Sequence, residues 1–252
     1  MASARNLTLS IGAAISILAL SACSSGEGLS PEAQSDDTFA AIEIVSQPTT
    51  VGDPIDLDLP VDDSGAFAFD EWPSACELAD VTTLLAMFPQ ADEVVQSGAD
   101  RDLQILEIGT PTPRQVNVPD ADCTTKVGFP VDELRAEDQS VVFMVTTTIE
   151  AVGTPEYVEL NAANKGGDEV KIGDATCFVE ASGLRYDCRT ENIAFGVTLD
   201  ARPYGQYFGE GESTYSIDGE EVTYSEDIDA FLAMAQEKIL RPLVTTDLER
   251  LS

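Results

Sequence analysis

The chain contains no histidine. That removes Ser-His-Asp and Cys-His catalysis, His-ligated zinc and the side chain that ordinarily switches charge near neutral pH. The sequence also lacks a G-x-S-x-G elbow, an S-x-x-K motif and a phosphate-binding P-loop. Positive charge is scarce: 13 basic residues, four of them Lys, stand against 46 acidic ones, for a net charge of −33. Such a surface repels phosphate backbones and anionic headgroups, so nucleic acid is not an expected partner. The acidity resembles that of salt-adapted proteins, although general solubility accounts for it without any single ligand. Glycoside hydrolysis would need only two carboxylates, but no spacing singles out a pair. The sequence nominates no catalytic residue, no metal and no cofactor, and a non-enzymatic role is expected.

What is present begins with length and apolar content. The chain has 252 residues and is 43% hydrophobic, enough for one folded core plus additional segments. Residues 1 to 22 carry one charge, on Arg5, followed by an uncharged run from Leu7 to Ala22. A helix over that run would be about 24 Å long, short of a bilayer core of about 30 Å. It reads as the apolar region of a signal peptide rather than a spanning helix. Its end, Leu20-Ser21-Ala22-Cys23, resembles the lipobox of bacterial lipoprotein precursors. The resemblance implies cleavage before Cys23 and acylation of that residue, with palmitate-type chains holding the protein on the outer face of the cell membrane. Two acyl chains suit stable anchoring, since a single chain binds only marginally.

Residues 23–69 read as an acidic, mostly disordered tether. Ser24 to Asp37 is rich in Ser, Gly, Pro, Gln and acids, a composition that cannot bury enough apolar surface to fold. Thr38 to Gly65 mixes apolar residues with Pro and Asp and reads as extended linker with one short strand. If flexible from Ser24 to Phe69, the tether would span about 37 Å, well beyond a Debye length of about 8 Å.

With Cys23 lipidated, Cys76, Cys123, Cys177 and Cys188 remain, an even number in an exported chain. "CFVEASGLRYDC" carries Ser182-Gly183 at its centre, which suits a two-residue hairpin turn. That register pairs Ala181 with Leu184, Val179 with Tyr186 and Cys177 with Cys188. Directly opposed strand residues lie within disulfide range. The preferred pairs are therefore Cys76–Cys123 and Cys177–Cys188. A four-thiolate zinc site is disfavoured, because no C-x-x-C spacing is present.

Residues 70–252 read as an α+β domain: an antiparallel sheet with a helix from each end packed on it, stapled by two disulfides. Ser74 and Glu77 form a capping box ahead of Leu78, Val81, Leu85 and Phe88 at helical spacing, and Pro89 stops the run. Ser225, Glu226 and Asp227 open a second helix. Its stripe is Ile228, Phe231, Leu232, Ala235 and Ile239, with Lys238 and Arg241 in the last turn and Pro242 as the stop. Val131 to Glu137 suits a short helix. Between them, "SVVFMVTTTIEAV", "EYVELNAA", "ATCFVEA", "LRYDC" and "IAFGVTLDA" read as strands on short connections.

Trp72-Pro73-x-x-Cys76-Glu77-Leu78 opening a helix, an isolated Cys123, Gly173-Asp174-Ala175-Thr176-Cys177 on a hairpin and a C-terminal helix follow in order. This arrangement resembles a family of uncharacterised actinobacterial cell-surface lipoproteins with two cysteine pairs. More distantly, it is similar to the extracellular sensor domains of bacterial membrane serine/threonine kinases. The likeness implies a two-disulfide α+β domain and a surface location. It implies no activity.

Two features suggest contacts. In "RPYGQYFGEGE", Tyr204, Tyr207 and Phe208 alternate with glycines, which suits a ligand- or partner-contacting loop; the same aromatics would equally serve to cover an edge of the core. Acidic clusters occur at Asp56, Asp58, Asp62 and Asp63 and at Glu220, Glu221, Glu226 and Asp227. They offer hard oxygen ligands for Ca²⁺ but lack the EF-hand order, and a solvated face explains them. The expected function is a lipid-anchored module binding a small apolar ligand or lipid. The alternative is a domain that contacts another envelope protein.

Overall fold

Along β-branched stretches, apolar and polar residues alternate, and the sheet follows from that alternation. In the computed structural model, residues 41–49, 51–61, 65–129, 141–162, 166–201, 213–224 and 227–251 are described. Seven antiparallel strands form the main sheet: β2 (Glu93–Ile105), β3 (Arg114–Gly128), β4 (Val141–Val152), β5 (Asp168–Ile172), β6 (Ala175–Val179), β7 (Arg185–Arg189) and β8 (Ile193–Ala201). Their spatial order is β2-β3-β4-β8-β7-β6-β5. Two meanders thus meet at the β4–β8 seam. A helix, α3 (Pro155–Asn161), lies in the chain between β4 and the far edge at β5. A second sheet, ordered β1-β9-β10, joins β1 (Ile42–Ile44) in parallel to the hairpin of β9 (Ser213–Ile217) and β10 (Glu220–Tyr224).

One face of the main sheet forms the floor of the core. Cys123, Thr147, Val197 and Tyr186 follow one another across neighbouring strands in register, and all are buried. Against that floor lie the short helices α1 (Ala75–Leu78) and α2 (Val81–Met87), and the C-terminal helical run of α4 (Ile228–Ala235), a π-turn (Gln236–Leu240) and α5 (Arg241–Arg250). Phe88 stacks on Phe143 at 5.0 Å, and Phe129 meets both edge-on. Tyr215, Tyr224 and Phe231 form a second aromatic group, which ties the small sheet to α4. The α+β class, the antiparallel sheet and a helix near each end are as expected. So are both disulfides: Cys76–Cys123 joins α1 to β3, and Cys177–Cys188 joins opposed residues of β6 and β7. Among the described residues, no helix is long and apolar enough to cross a membrane.

Several expectations are corrected. Residues from Ala41 onward do not form a tether to Phe69, since Ala40–Ser252 make one unit. Ile42, Ile44 and Ile55 are buried, and β1 pairs with β9. Alternation of apolar residues with Asp in "IDLDLP" makes this a strap that lies against the core, with its acids in water.

The first helix is not continuous. Ala79 leaves helical geometry, and Asp80 restarts the chain as the cap of α2, accepting a bond from the Thr83 amide. The restart rotates the apolar stripe. Leu84, Met87 and Phe88 are buried, while Leu85, expected inside, is 42% exposed.

"EYVELNAA" is the helix α3 rather than a strand. Thr154 caps it by accepting from the Tyr157 amide, and Pro155 occupies its first turn, where a missing N–H costs nothing. The long hairpin of β2 and β3 is not among the expected strands: β2 is the sheet edge and exposes most of its residues, whereas β3 turns Ala121, Cys123, Thr125 and Val127 into the core. The β6–β7 connection is a turn over Glu180–Gly183, closed by the Gly183 amide on the Glu180 carbonyl, so Ala181 and Leu184 lie in the loop. The Val179–Tyr186 and Cys177–Cys188 pairs survive, since both loop types keep that register.

Pro242 does not end the last helix. The Arg241 amide bonds to the Gln236 carbonyl five residues back. That wide turn makes room for a proline ring that would otherwise meet the carbonyl four residues earlier. The helix then continues to Arg250. Asp227 caps α4, whereas Ser225 and Glu226 lie outside the described residues. The short helix expected at Val131 to Glu137 lies outside them too.

Candidate functional site

The strap crosses one end of the main sheet and divides its surface into two open grooves. One, of about 700 Å³, runs between the β5–β6 turn, the β7–β8 turn and α5, with Leu57, Ile172, Ala175, Leu248 and Leu251 as its apolar lining. Thr190, Asn192 and Thr245 add neutral polar groups, and Asp174, Glu191 and Glu249 add three acids. The other, of about 710 Å³, lies across the strap, with Leu59, Phe67, Thr154 and Pro155 on its walls. Leu57, Asn192 and Leu251 border both. The strap is held at two places. Toward its start, the Ile55 amide bonds to the Arg250 carbonyl at 2.8 Å; toward its end, Val61 bridges Phe67. Between them, Asp58 donates its amide to the Asp56 carboxylate, a local turn that leaves Leu57 and Leu59 directed by packing alone.

A second cluster lies on the sheet face opposite the core. A bulge in β4 between Ile149 and Ala151 places Glu150 beside β7 and β8. Arg185 fills the space between. It donates to both oxygens of Asp187 through Nε at 3.0 and 3.1 Å, and to Thr198 at 3.0 Å. Its terminal nitrogen lies 2.6 Å from Asp187 and 3.7 Å from Glu150. The Asp187 hydrogen bonds hold the Arg185 pKa above its already high value; burial opposes them, and the charges of Asp187, Glu150 and Glu180 add to them. Gly196 sits beneath, where a Cβ would come within 2.6 Å of the guanidinium. Here are two carboxylates close together, the constellation that sequence spacing could not nominate. Both point at a guanidinium rather than into either groove, which makes them an ion-pair network.

The expected site residues are distributed differently. Cys23, Tyr204, Tyr207 and Phe208 lie outside the described residues. So do Asp62, Asp63 and Glu226. Asp56 and Asp58 are exposed on the strap, Glu220 and Glu221 on β10, and Asp227 caps α4. No group of three or more metal-ligating acids or cysteines is assembled among the described residues.

Sequence reasoning missed one acid that the fold singles out. Asp247 on α5 is fully buried, and neither carboxylate oxygen has a hydrogen-bond partner among the described residues. No sequence signal separates it from 45 other acids. Its period with Leu243 and Val244 on a helix extended past Pro242 would have been the one hint.

No family model, curated protein or solved structure matches this chain.

Proposed function

We propose that the protein is a lipid-anchored domain on the outer face of the cell membrane that binds a small apolar ligand or lipid without transforming it. The groove between the sheet turns and α5 carries this reading. Its volume of about 700 Å³ falls within the usual range for small-molecule sites, about 300 to 1,000 Å³. Its lining is mixed: five apolar side chains would hold a ligand's apolar body, while Asp174, Glu191 and Glu249 with Thr190, Asn192 and Thr245 would meet a polar headgroup. The lipobox at Cys23 supports the location. A second reading, contact with another envelope protein through the aromatic loop at Tyr204 to Phe208, draws on the openness of both grooves, which suits an extended partner segment as well as a small molecule.

Native mass spectrometry of mature protein from its own host tests this. The expected spectrum shows acylated Cys23 as the N-terminus, four hydrogens missing for two disulfides, and an additional mass of one lipid or solute. Leu248→Arg should abolish the additional mass while leaving the fold intact by circular dichroism. Protein that carries no such mass but retains a stoichiometric envelope protein would favour the second reading. Cys23→Ala should move the chain from membrane to soluble fraction, and membrane retention of that variant would overturn the anchor.

A further inference from the structure

The junction of the strap, α2 and α5 is built around charged groups in unusual places. Arg250 is the bolt. It is 5% exposed and donates through Nε to the Asp53 carbonyl at 2.9 Å, and through one terminal nitrogen to the carbonyls of Glu77 at 2.8 Å and Leu78 at 3.0 Å. Its own carbonyl takes the Ile55 amide. One residue thus ties the strap and the last carbonyls of α1 to the end of α5.

Three residues before it stands Asp247, fully buried and without a hydrogen-bond partner among the described residues. From the α1–α2 junction, the carboxylate facing it is Asp80, which is already committed to the Thr83 amide. Thr83 itself offers a buried hydroxyl, which carries no charge and has no partner among the described residues. From the strap, Gly52 lies directly on Asp80, where a Cβ would be 2.5 Å from the carboxyl carbon. The remaining acids of the junction, Asp53, Glu77 and Glu249, are exposed to water. On its own helix, the nearby cation is Arg250, which donates to the backbone carbonyls of Asp53, Glu77 and Leu78. An ionised carboxylate in this position would be buried beside a like charge, with no hydrogen bond to offset the loss of water.

We propose that Asp247 makes this junction a proton-dependent latch, closed while its carboxyl is protonated and loosened when the proton passes to solvent. Burial holds the group well above the usual carboxylate range, Arg250 works against that, and Asp80 adds to it. For a carboxyl raised in the folded state, the stabilisation is full below the unfolded pKa of about 4 and is lost as pH rises through the folded value. Loosening releases the strap, which carries Leu57, and frees the end of α5, which carries Leu251. Both border the two grooves, so release would merge them into one. That consequence for ligand entry rests on the binding function proposed above; the latch itself does not.

Hydrogen exchange on the ligand-free full chain, read by mass spectrometry from about pH 5 to pH 9 and corrected for intrinsic rates, separates the two. Protection over residues 51–61 and 241–251 should fall with rising pH, while β4 and β8 keep theirs. Asp247→Asn should lose this dependence. Asp80→Asn, which still caps α2, should move the midpoint to lower pH by removing the like charge. A flat profile in the parent chain, an unchanged profile in Asp247→Asn, or an equal loss across the sheet would each overturn the latch. Should Asp247→Asn fail to fold, an unshifted Asp80→Asn midpoint would overturn it. A missing ligand in native mass spectrometry would sink the binding function and leave this result untouched.

Discussion

The Asp218 carboxylate accepts both the hydroxyl of Ser46, at 2.6 Å, and its amide, at 2.7 Å, across 172 residues of sequence. Asp218 occupies the first position of the Asp218-Gly219 turn between β9 and β10, with a φ of +53° that Asp tolerates better than most residues. Lys238, at 3.5 Å, completes the set. This contact clasps the segment just after β1 to the β9–β10 turn and reinforces the backbone pairing of β1 with β9. Burial alone would raise the Asp218 pKa, but the two bonds from Ser46 and the charge of Lys238 outweigh it and hold it below the usual carboxylate value.

Ser46→Ala should therefore destabilise the protein by about 1 kcal/mol, at the low end for bonds to a charged group because Asp218 is 42% exposed and solvent screens it. For a depressed carboxyl the contribution is present above the unfolded pKa and disappears as pH falls through the lower, folded one. The stability difference between parent and Asp218→Asn, measured by urea unfolding, should be constant above about pH 5 and shrink below about pH 4. A difference that persists unchanged at pH 2 would contradict this.

Arg185 and Asp187 yield a second test. Asp187 is 5% exposed, so Arg185→Met takes the counter-charge from a buried carboxylate and should cost about 3 kcal/mol. The double change Arg185→Met with Asp187→Leu should recover most of that loss. Gly196→Ala, which drives a methyl group against the guanidinium, should cost about 1 to 3 kcal/mol. Denaturant midpoints with unchanged slopes would report all three.

Leu84 and Leu85 are neighbours of identical chemistry with opposite fates. Leu84 is fully buried and Leu85 is 42% exposed. Leu84→Ala should cost about 2 to 5 kcal/mol, and Leu85→Ala should stay within about 0.5 kcal/mol. Equal effects would mean that the helix does not restart at Asp80.

The disulfides differ in the chain they close. Loops of 47 and 11 residues separate the partners. On the loop-entropy account, replacing both cysteines by Ser should cost about 4 kcal/mol for Cys76–Cys123 and about 3 kcal/mol for Cys177–Cys188. Mass analysis of the native protein after thiol labelling should find none of Cys76, Cys123, Cys177 and Cys188 labelled.

Much of this was legible in local pattern. The strands from Val141 to Val152 and from Ala175 to Ala201 declare themselves by β-branched and aromatic residues bounded by Gly, Pro or Asn, and the cysteine register follows from the Ser182-Gly183 turn. α3 was misread because Tyr157 and Val158 favour strands in isolation, whereas Thr154 and Pro155 start a helix that packing completes. The β2–β3 hairpin was hard to read because β2 is an exposed edge and the inward row of β3 includes Ala121, Cys123 and Thr125, small or polar residues that give little apolar signal.

The sequence by itself determined the α+β class, the β6–β7 cross-link and the absence of histidine chemistry, since each depends on residues close in the chain or on composition alone. Only the tertiary structure decided that residues from Ala41 belong to the domain, that Pro242 is carried inside a helix, and that Asp247 alone among the described acids is fully buried. Those outcomes depend on partners up to about 200 residues away, such as Asp53 with Arg250 at a separation of 197. A carboxylate's surroundings, and hence its protonation, are set by what packs on it rather than by its neighbours in sequence.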